Sequence, residues 1–211
     1  MSATDETRSP KQLARRSLII DAAVETLKRE GIAGCTVRAI AAATPFTKGT
    51  IHYYFGDVNE IVNTAYLRLT DEYVAAVEEV AGQASRPLAA FWRAVRSYVE
   101  GFWGHPRMGL LWLEYSSWAV RNDYGHEVAS SVEAIRAMFA RHLEEIEAAR
   151  PGSAGAVTRY LLGTVLELAV SPVEIGAVMG EVAGICGLRP PRVQQTGGRH
   201  EQVCPLCFAG R

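Results

Sequence analysis

The amino-acid sequence predicts an all-α fold, in which a three-helix N-terminal domain is followed by a larger helical C-terminal domain. Apolar residues recur at intervals of three and four along most of the chain, the spacing of one face of an α-helix, and no segment alternates as a strand does. Capping residues, glycines and prolines divide this pattern into separate helices. At 211 residues, 48% of them hydrophobic, the chain is long enough for a small domain joined to a larger one with its own core.

Three short helices are predicted within residues 9–56, the first domain. Ser9 is an N-cap followed by a proline, and an apolar stripe then runs to Gly31, which ends the first helix. Thr36 and Thr47 are predicted to cap the second and third helices. The stripe of the first helix consists of Leu13, Ser17, Ile20, Val24 and Leu27.

The second domain is predicted to span residues 57–188. Asp57 and Glu60 form a capping-box-like start to a fourth helix, which runs to Gly82 and measures about 37 Å at 1.5 Å per residue. Residues 189–211 are rich in proline, glycine and polar side chains, so a flexible tail is predicted there. Five further helices are predicted at residues 87–103, 106–121, 123–150, 153–170 and 172–186.

The charge of the chain is uneven, although its formal net value is only −1. Residues 8–55 hold eight Lys and Arg against three acids, a balance of +5, and the remaining 14 Lys and Arg against 20 acids give −6. A basic domain joined to an acidic one is typical of a small nucleic-acid reader with a partner domain. The sequence shows no apolar run long enough to cross a bilayer and no signal peptide, so a cytoplasmic location without membrane contact is expected.

Residues 47–55 carry the strongest functional signal. The segment reads Thr-Lys-Gly-Thr-Ile-His-Tyr-Tyr-Phe and follows a short helical pattern across a break at Thr44 and Pro45. Two short helices joined by a tight turn, the second rich in hydrogen-bond donors, suit the major groove of DNA, where phosphates and base edges are met. The segment therefore predicts a helix-turn-helix that binds a double-stranded DNA operator.

Residues 19–55 resemble the TetR family of bacterial repressors. The matching features are Ile19/Ile20-x-Ala-Ala, Gly31, Thr36-Val37, Ile40-Ala41 and Lys48-Gly49-Thr50-Ile51-x-x-Tyr54-Phe55. The resemblance implies a homodimer that places two third helices in the major groove of a pseudo-palindromic operator, one helical turn apart. The chain departs from the family at Pro45, where a turn glycine is usual, at His52, where a tyrosine is usual, and at Val58, where a lysine is common.

The resemblance also implies which residues contact DNA. Lys48, Thr50 and Tyr53 fall where the family contacts bases. Thr47, His52 and Tyr54 fall where it contacts phosphates, and Thr36 and Arg38 near the start of the second helix can add contacts to the DNA backbone. Lysine can reach guanine O6 and N7, and helix N-terminal N–H groups suit phosphate. For Tyr53 and Tyr54 the alternative is that either ring packs the three-helix core. The predicted DNA-binding residues are Thr36, Arg38, Thr47, Lys48, Gly49, Thr50, His52, Tyr53 and Tyr54.

Aromatic residues cluster within residues 91–118, where the resemblance implies a cavity for a small molecule. The stretch Leu111–Tyr115 is also mildly similar to regulators of the betaine type. Glu114, Arg121 or Glu167 is available to orient a polar ligand, and tryptophans can hold a quaternary ammonium group by cation–π contact. The alternative is that aromatic residues at helical spacing form only the core. The predicted pocket residues are Phe91, Tyr98, Phe102, Trp103, Met108, Trp112, Glu114, Tyr115 and Trp118.

The last two predicted helices are apolar and carry small residues that allow another helix to approach closely. We expect a homodimer in which these helices from both subunits form a four-helix bundle. The alternative is that they complete the core of a single subunit. The small residues are Gly163, Gly176, Gly180 and Gly184.

The predicted function is that of a homodimeric transcriptional repressor released from its operator by a small molecule, without a cofactor. The alternative is a metal- or redox-responsive regulator that uses Cys204 and Cys207. With His200 these cysteines offer three ligands, whereas a structural zinc site needs four, and a disordered tail with two free thiols is the simpler interpretation. The sequence contains no nucleophile elbow, phosphate loop or paired-carboxylate motif, so an enzyme is not expected.

Overall fold

The structure is a computed structural model that describes residues 9–103 and 106–191. Within those ranges the chain forms α-helices and no strand, which confirms the all-α prediction. The helices are α1 (Pro10–Gly34), α2 (Val37–Ala42), α3 (Lys48–Tyr54), α4 (Val58–Gly82), α5 (Pro87–Trp103), α6 (Pro106–Arg121), α7 (Gly125–Glu144), α8 (Ala154–Leu168) and α9 (Ile175–Cys186).

The start of α1 is fixed by a capping box, in which Ser9 is the N-cap that its sequence predicts. The Ser9 side chain accepts a hydrogen bond from the Gln12 N–H at 3.4 Å, and Gln12 Oε1 accepts one from the Ser9 N–H at 2.8 Å. Gly31 interrupts α1, because its φ of 73° and ψ of −173° lie in a region that glycine alone adopts readily. Glu114 Oε2 accepts a hydrogen bond from the freed Ile32 N–H at 3.1 Å.

The first compact unit contains α1, α2, α3, α4 as far as Leu69, and residues Glu114–Gly125, which include the end of α6. Its core forms where the apolar faces of the three N-terminal helices meet the start of α4. The most deeply buried apolar residues are Ile19, Ile20, Ala23, Leu27, Ile40, Ile51, Phe55, Ile61 and Ala65. The division into a DNA-binding domain that ends at residue 56 and a second domain that begins at residue 57 is a division by function, and it stays a prediction.

The second compact unit contains α4 from Thr70 onward, α5, the start of α6, α7, α8 and α9. Its core is apolar and includes a buried side-chain hydrogen bond, which the Tyr73 hydroxyl donates to the Tyr98 carbonyl. Helices α8 and α9 pack on each other and on α5. Large side chains of this core include Tyr73, Phe91, Trp92, Tyr98, Met138, Phe139, Leu161 and Met179.

Helix α7 ends at Glu144, six residues before the predicted end at residue 150. The reason is a long-range contact: the Arg150 N–H donates to the Cys186 carbonyl at 2.7 Å, and Arg150 Nη1 donates to the Ile185 carbonyl at 2.9 Å. These bonds satisfy the C-terminal carbonyls of α9, where Gly187 turns the chain with a φ of 69°. Because Arg150 is bonded to the end of α9, residues 145–153 form turns and do not continue α7.

Helix α9 begins at Ile175, so the predicted start at residue 172 is wrong. The Ser171 N–H instead donates to the Glu167 carbonyl at 2.8 Å and closes the end of α8. Helix α7 starts at Gly125, because Asp123 has a left-handed φ of 65° and breaks the helix before it. Across the described ranges, none of the helices combines the length and the apolar character that a membrane span requires.

Candidate nucleic-acid interface

The turn between α2 and α3 is set by threonine side chains. Thr36 Oγ1 accepts from the Ala39 N–H at 3.2 Å, and Thr47 Oγ1 accepts from the Thr50 N–H at 3.2 Å, so both predicted caps are present. Thr44 Oγ1 donates to a carbonyl of α2 at 3.2 Å and lies 3.4 Å from the N–H of Phe46, from which it accepts. These bonds hold the turn, although the residue at the usual glycine position is a proline.

Helix α3 has one face in the core and one face in solvent. Ile51 is 0% exposed and Tyr54 is 5% exposed, so both anchor the helix to the first unit. Tyr53 is 71% exposed, and Lys48 and His52 are also exposed. An exposed face of this kind on the second helix of a helix-turn-helix is what contact with a DNA groove requires.

The two tyrosines differ in environment. The ring of Tyr53 meets that of Tyr54 edge to face, with centroids 5.1 Å apart, and the Tyr53 hydroxyl is 3.5 Å from Gln12 Nε2. Burial of Tyr54 favours the packing alternative for that ring. Tyr53 keeps its surface available, and the assignment of either residue to DNA remains a prediction.

A single arginine of α1 holds the end of α3 in place. Arg16 Nη1 donates to the carbonyl of Tyr54 at 2.7 Å, and its Nη2 pairs with Glu60 Oε1 at 2.7 Å. Its Cζ lies 3.9 Å from the centre of the Phe55 ring. The guanidinium therefore satisfies a C-terminal carbonyl of α3 and places a positive charge at the negative end of the helix.

The paired Glu60 continues this network into α4. Its Oε2 accepts from the Gly56 N–H at 3.0 Å, and its own N–H donates to Asp57 Oδ1 at 2.8 Å. Half of the capping box predicted for α4 is therefore present, because Asp57 accepts from the Glu60 N–H, whereas the Glu60 carboxylate accepts from Gly56 and pairs with Arg16. Glu60 therefore links the connection between α3 and α4 both to Gly56 within it and to Arg16 of α1.

Four of the nine described Lys and Arg residues of the first unit are neutralised by nearby acids. Ion pairs join Arg16 to Glu60, Lys28 to Glu25, Arg29 to Glu30 and Arg68 to Asp21. Among the described residues, the cations of this unit without an ion pair include Lys11, Arg15, Arg38 and Lys48, and all four are exposed. The positive charge that remains for phosphates thus includes the two predicted DNA-binding cations.

The predicted pocket residues divide between the two compact units. Tyr115 lies in the first unit, where it stacks on Tyr66 with centroids 3.5 Å apart and donates to Asn63 Oδ1 at 2.6 Å. Trp118 stacks there on Tyr124, with centroids 5.5 Å apart. In this unit the predicted residues pack against protein groups, and the pocket assignment stays a prediction.

Glu114 also lies in the first unit, and the remaining six predicted pocket residues lie in the second unit. Phe91 and Tyr98 are 0% and 1% exposed, and burial raises the pKa of the Tyr98 phenol. Phe102 packs against this core, whereas Trp103 is 38% exposed. Met108 and Trp112 are half-buried. These placements accord with the core alternative for Phe91 and Tyr98.

A groove of about 490 Å³ lies in the second unit, and its lining differs from the predicted pocket. None of the nine predicted pocket residues lines it, although their neighbour Trp92 does. The arginines of α5 that line it recur on one helical face, and that spacing is a signal the sequence carried. The lining residues are Arg86, Leu88, Ala89, Trp92, Arg93, Arg96, Ile175, Met179, Arg189, Pro190 and Pro191.

The two cysteines in the described ranges are buried. Burial raises the pKa of the Cys35 thiol to about 12, and burial also raises the pKa of Cys186, so both are protonated and unreactive near neutral pH. In the same ranges, no three His, Cys, Asp or Glu residues come together as metal ligands would. Cys204 and Cys207 lie outside the described residues, and the sensor alternative gains no support.

Comparison with known proteins places this geometry in a family. A family model described as bacterial regulatory proteins, tetR family, matches residues 19–65. The HTH-type nicotine-responsive transcriptional repressor HdnoR of Paenarthrobacter nicotinovorans is 25% identical over 125 residues, which are 56% of this chain and 61% of the repressor. The match thus spans less than two thirds of that relative.

Solved structures share the fold over most of the chain. SCO7518 from Streptomyces coelicolor A3(2), described as a transcriptional regulator, superposes with a TM-score of 0.68 at 26% identity, over 82% of this chain and 98% of that one. The multidrug binding protein EbrR, crystallised with imidazole, has a TM-score of 0.66 at 22% identity, over 85% and 98%. At this lower identity the likeness to EbrR is one of fold.

The capped α2–α3 pair and the helical body define a transcriptional regulator of the helix-turn-helix class. Its residues 19–65 match the model of the tetR family of bacterial regulatory proteins, and the chain shares its fold with a transcriptional regulator of Streptomyces coelicolor A3(2).

We predict that Arg16→Met lowers the free energy of unfolding by about 2 kcal/mol, because it removes two hydrogen bonds of a charged group and leaves the Tyr54 carbonyl without that donor. The matched control is Arg15→Met, since Arg15 is exposed and should change stability by less than about 0.5 kcal/mol. Urea unfolding of both variants measures the difference. Equal losses would show that Arg16 does not anchor α3.

Proposed function

We propose that the protein is a homodimeric repressor whose α3 helices occupy the major groove of an operator, and that a small molecule bound in the body lowers its affinity for DNA. The observation that carries the first part is the solvent face of α3, where Lys48, His52 and Tyr53 project from a helix anchored by Ile51 and Tyr54. Burial of the opposite face fixes the position of α3, and a base contact depends on placing donors within hydrogen-bond distance.

Two kinds of DNA contact follow from the position of each residue. Lys48 is the first residue of α3, where a long donor can reach a guanine edge. Thr36 and Arg38 lie at the start of α2, where helix N-terminal N–H groups favour a phosphate. In this proposal Lys48, Thr50 and Tyr53 read sequence, while Thr36, Arg38 and Thr47 fix the register of the protein on the backbone.

The homodimer is supported by an open face on the last two helices. Val170 is 82% exposed and Leu166 is 36% exposed at the end of α8. Along α9, a Cβ atom built on Gly176, Gly180 or Gly184 meets nothing within 4 Å, so this face of α9 is open in the subunit. Glycines spaced by four residues allow a second helix to approach closely, and an isologous pairing of such faces closes a dimer.

Ligand-controlled release is supported by the family and by the construction of the chain. The related HdnoR is described as nicotine-responsive. Here α4 supplies residues to both compact units, so it offers a continuous helix through which a bound ligand can affect the DNA-binding unit. A hundredfold decrease in operator affinity needs only about 2.7 kcal/mol of coupling between the two sites.

On a preferred DNA sequence obtained by selection, Lys48→Ala should weaken binding by about 1–3 kcal/mol and reduce discrimination at one base position, because it removes a base contact. Arg38→Ala should weaken binding to all sequences alike and reduce the slope of log affinity against log salt by about one, because it removes a phosphate contact. Fluorescence anisotropy at several salt concentrations measures both effects.

The control for these variants is Arg136→Ala, which removes one cation from α7 in the second unit. It should leave the affinity and the salt slope unchanged. If it weakens binding as much as Arg38→Ala does, the effect reflects the overall charge and not a contact at α2.

Gly180→Arg should convert the dimer to a monomer at micromolar concentration, because a long charged side chain would stand in the proposed interface. The subunit itself has open space at this position and should stay folded. Gly82→Arg is the matched control, since Gly82 at the end of α4 also has no neighbour within 4 Å of a built Cβ. Light scattering decides: dimers for both variants would place the interface elsewhere.

A further inference from the structure

The groove in the second unit is formed by the start of α5, the start of α9 and the residues that follow α9. Its volume of about 490 Å³ falls within the range of about 300–1,000 Å³ that is usual for small-molecule sites. Its walls are apolar in part, with Leu88, Ile175 and Met179 among them. In size and in lining it therefore meets the requirements of a ligand site.

The charge of the groove has one sign. Its lining includes four arginines, at positions 86, 93, 96 and 189, and no carboxylate. Arg96 is paired with Glu100 at 2.7 Å, whereas among the described residues Arg86, Arg93 and Arg189 have no ion-pair partner. Arginine binds carboxylates and similar anions through two parallel hydrogen bonds. The groove therefore favours an anion and disfavours a cation.

The backbone adds to this preference. Leu88 and Ala89 lie in the first turn of α5, and Ile175 is the first residue of α9, so the N-termini of two helices border the groove. The first N–H groups of a helix have no partner within it and carry a partial positive charge. Both ends act in the same direction as the arginines.

A buried donor is also present in the wall. Trp92 is 6% exposed, and its Nε1 atom has no hydrogen-bond partner among the residues that the structure describes. A buried N–H without a partner is costly, and an acceptor on a ligand would remove that cost. Trp92 lines the groove, so an acceptor on a bound anion that reaches this N–H would supply the missing partner.

We propose that this groove binds an organic anion with an apolar body, its acidic group held by Arg86, Arg93 and Arg189 and its apolar part lying on Trp92 and Met179. The inference deepens the proposed function, on which it rests, by naming the site and the chemical class of the effector. It also replaces the expectation of a cationic ligand, because a quaternary ammonium group would meet three unpaired positive charges here.

Four probes that differ in head group or apolar chain test the ligand class on the full-length protein by calorimetric titration. Dodecanoate, used below its micellar concentration, should bind, and dodecanol should bind at least about tenfold more weakly because it lacks the charge. Dodecyltrimethylammonium and inorganic phosphate should not bind detectably. Equal affinity for dodecanoate and dodecanol would overturn the role of the arginines.

Variants locate the site. Arg93→Gln should weaken dodecanoate binding about tenfold or more, and Trp92→Phe, which keeps the ring and removes the N–H, should weaken it about threefold to tenfold. Arg159→Gln, an exposed arginine of α8 outside the groove, is the control for net charge and should change the affinity by less than about twofold. Circular dichroism confirms that each variant is folded. Equal effects of Arg93→Gln and Arg159→Gln would overturn the site.

Operator binding separates this inference from the proposed function. Dodecanoate should lower the operator affinity of the native protein and not that of Arg93→Gln, whose affinity without dodecanoate should be unchanged. If dodecanoate binds in an Arg93-dependent manner and leaves operator affinity unchanged, the groove is confirmed as a site and its effector role is wrong. If the protein binds no selected DNA and still binds dodecanoate through Arg93, the proposed function fails and the anion site stands.

Discussion

The guanidinium of Arg16 is the contact on which the DNA-binding surface depends. It joins three segments that are distant in sequence: α1, the last carbonyl of α3, and the start of α4 through Glu60. Helix α3 has only 7 residues, and a helix so short is not stable on its own. Its geometry is therefore imposed by the Thr47 cap at one end, by Arg16 at the other and by burial of Ile51 between them.

The same pairing also shapes the charge of the surface. Arg16 and the other paired cations are neutralised by neighbouring acids, so they contribute structure and little net charge, whereas Arg38 and Lys48 remain exposed without an ion pair in the described part of the chain. In the body, the groove beside α5 shows the opposite arrangement, because three of its four arginines are left unpaired around an apolar wall. In the DNA-binding unit and in the groove alike, we infer binding of an anionic partner where the described arginines and lysines have no ion pair.

Much of the fold could be predicted from the sequence, because caps and periodicity are local signals. Ser9, Thr36 and Thr47 cap their helices as predicted. The end of α7 could not be predicted, since it depends on the contact between Arg150 and the distant end of α9. The groove could not be predicted for a related reason, because it depends on contacts between distant segments. Aromatic residues at helical spacing have the same sequence pattern in a core as in a pocket. Only the packing of α5 against α9 brings Arg189 close to the arginines of α5.

The most direct test of the account is selection of binding sites for the purified protein from a random library of duplex DNA. If two α3 helices, each held as in this subunit, read adjacent major grooves, the selected sequences will be pseudo-palindromes whose half-sites are centred about 10 base pairs, or a multiple of that distance, apart. Failure to enrich any sequence, or enrichment of one unrepeated half-site, would contradict the claim that paired α3 helices form the reading surface.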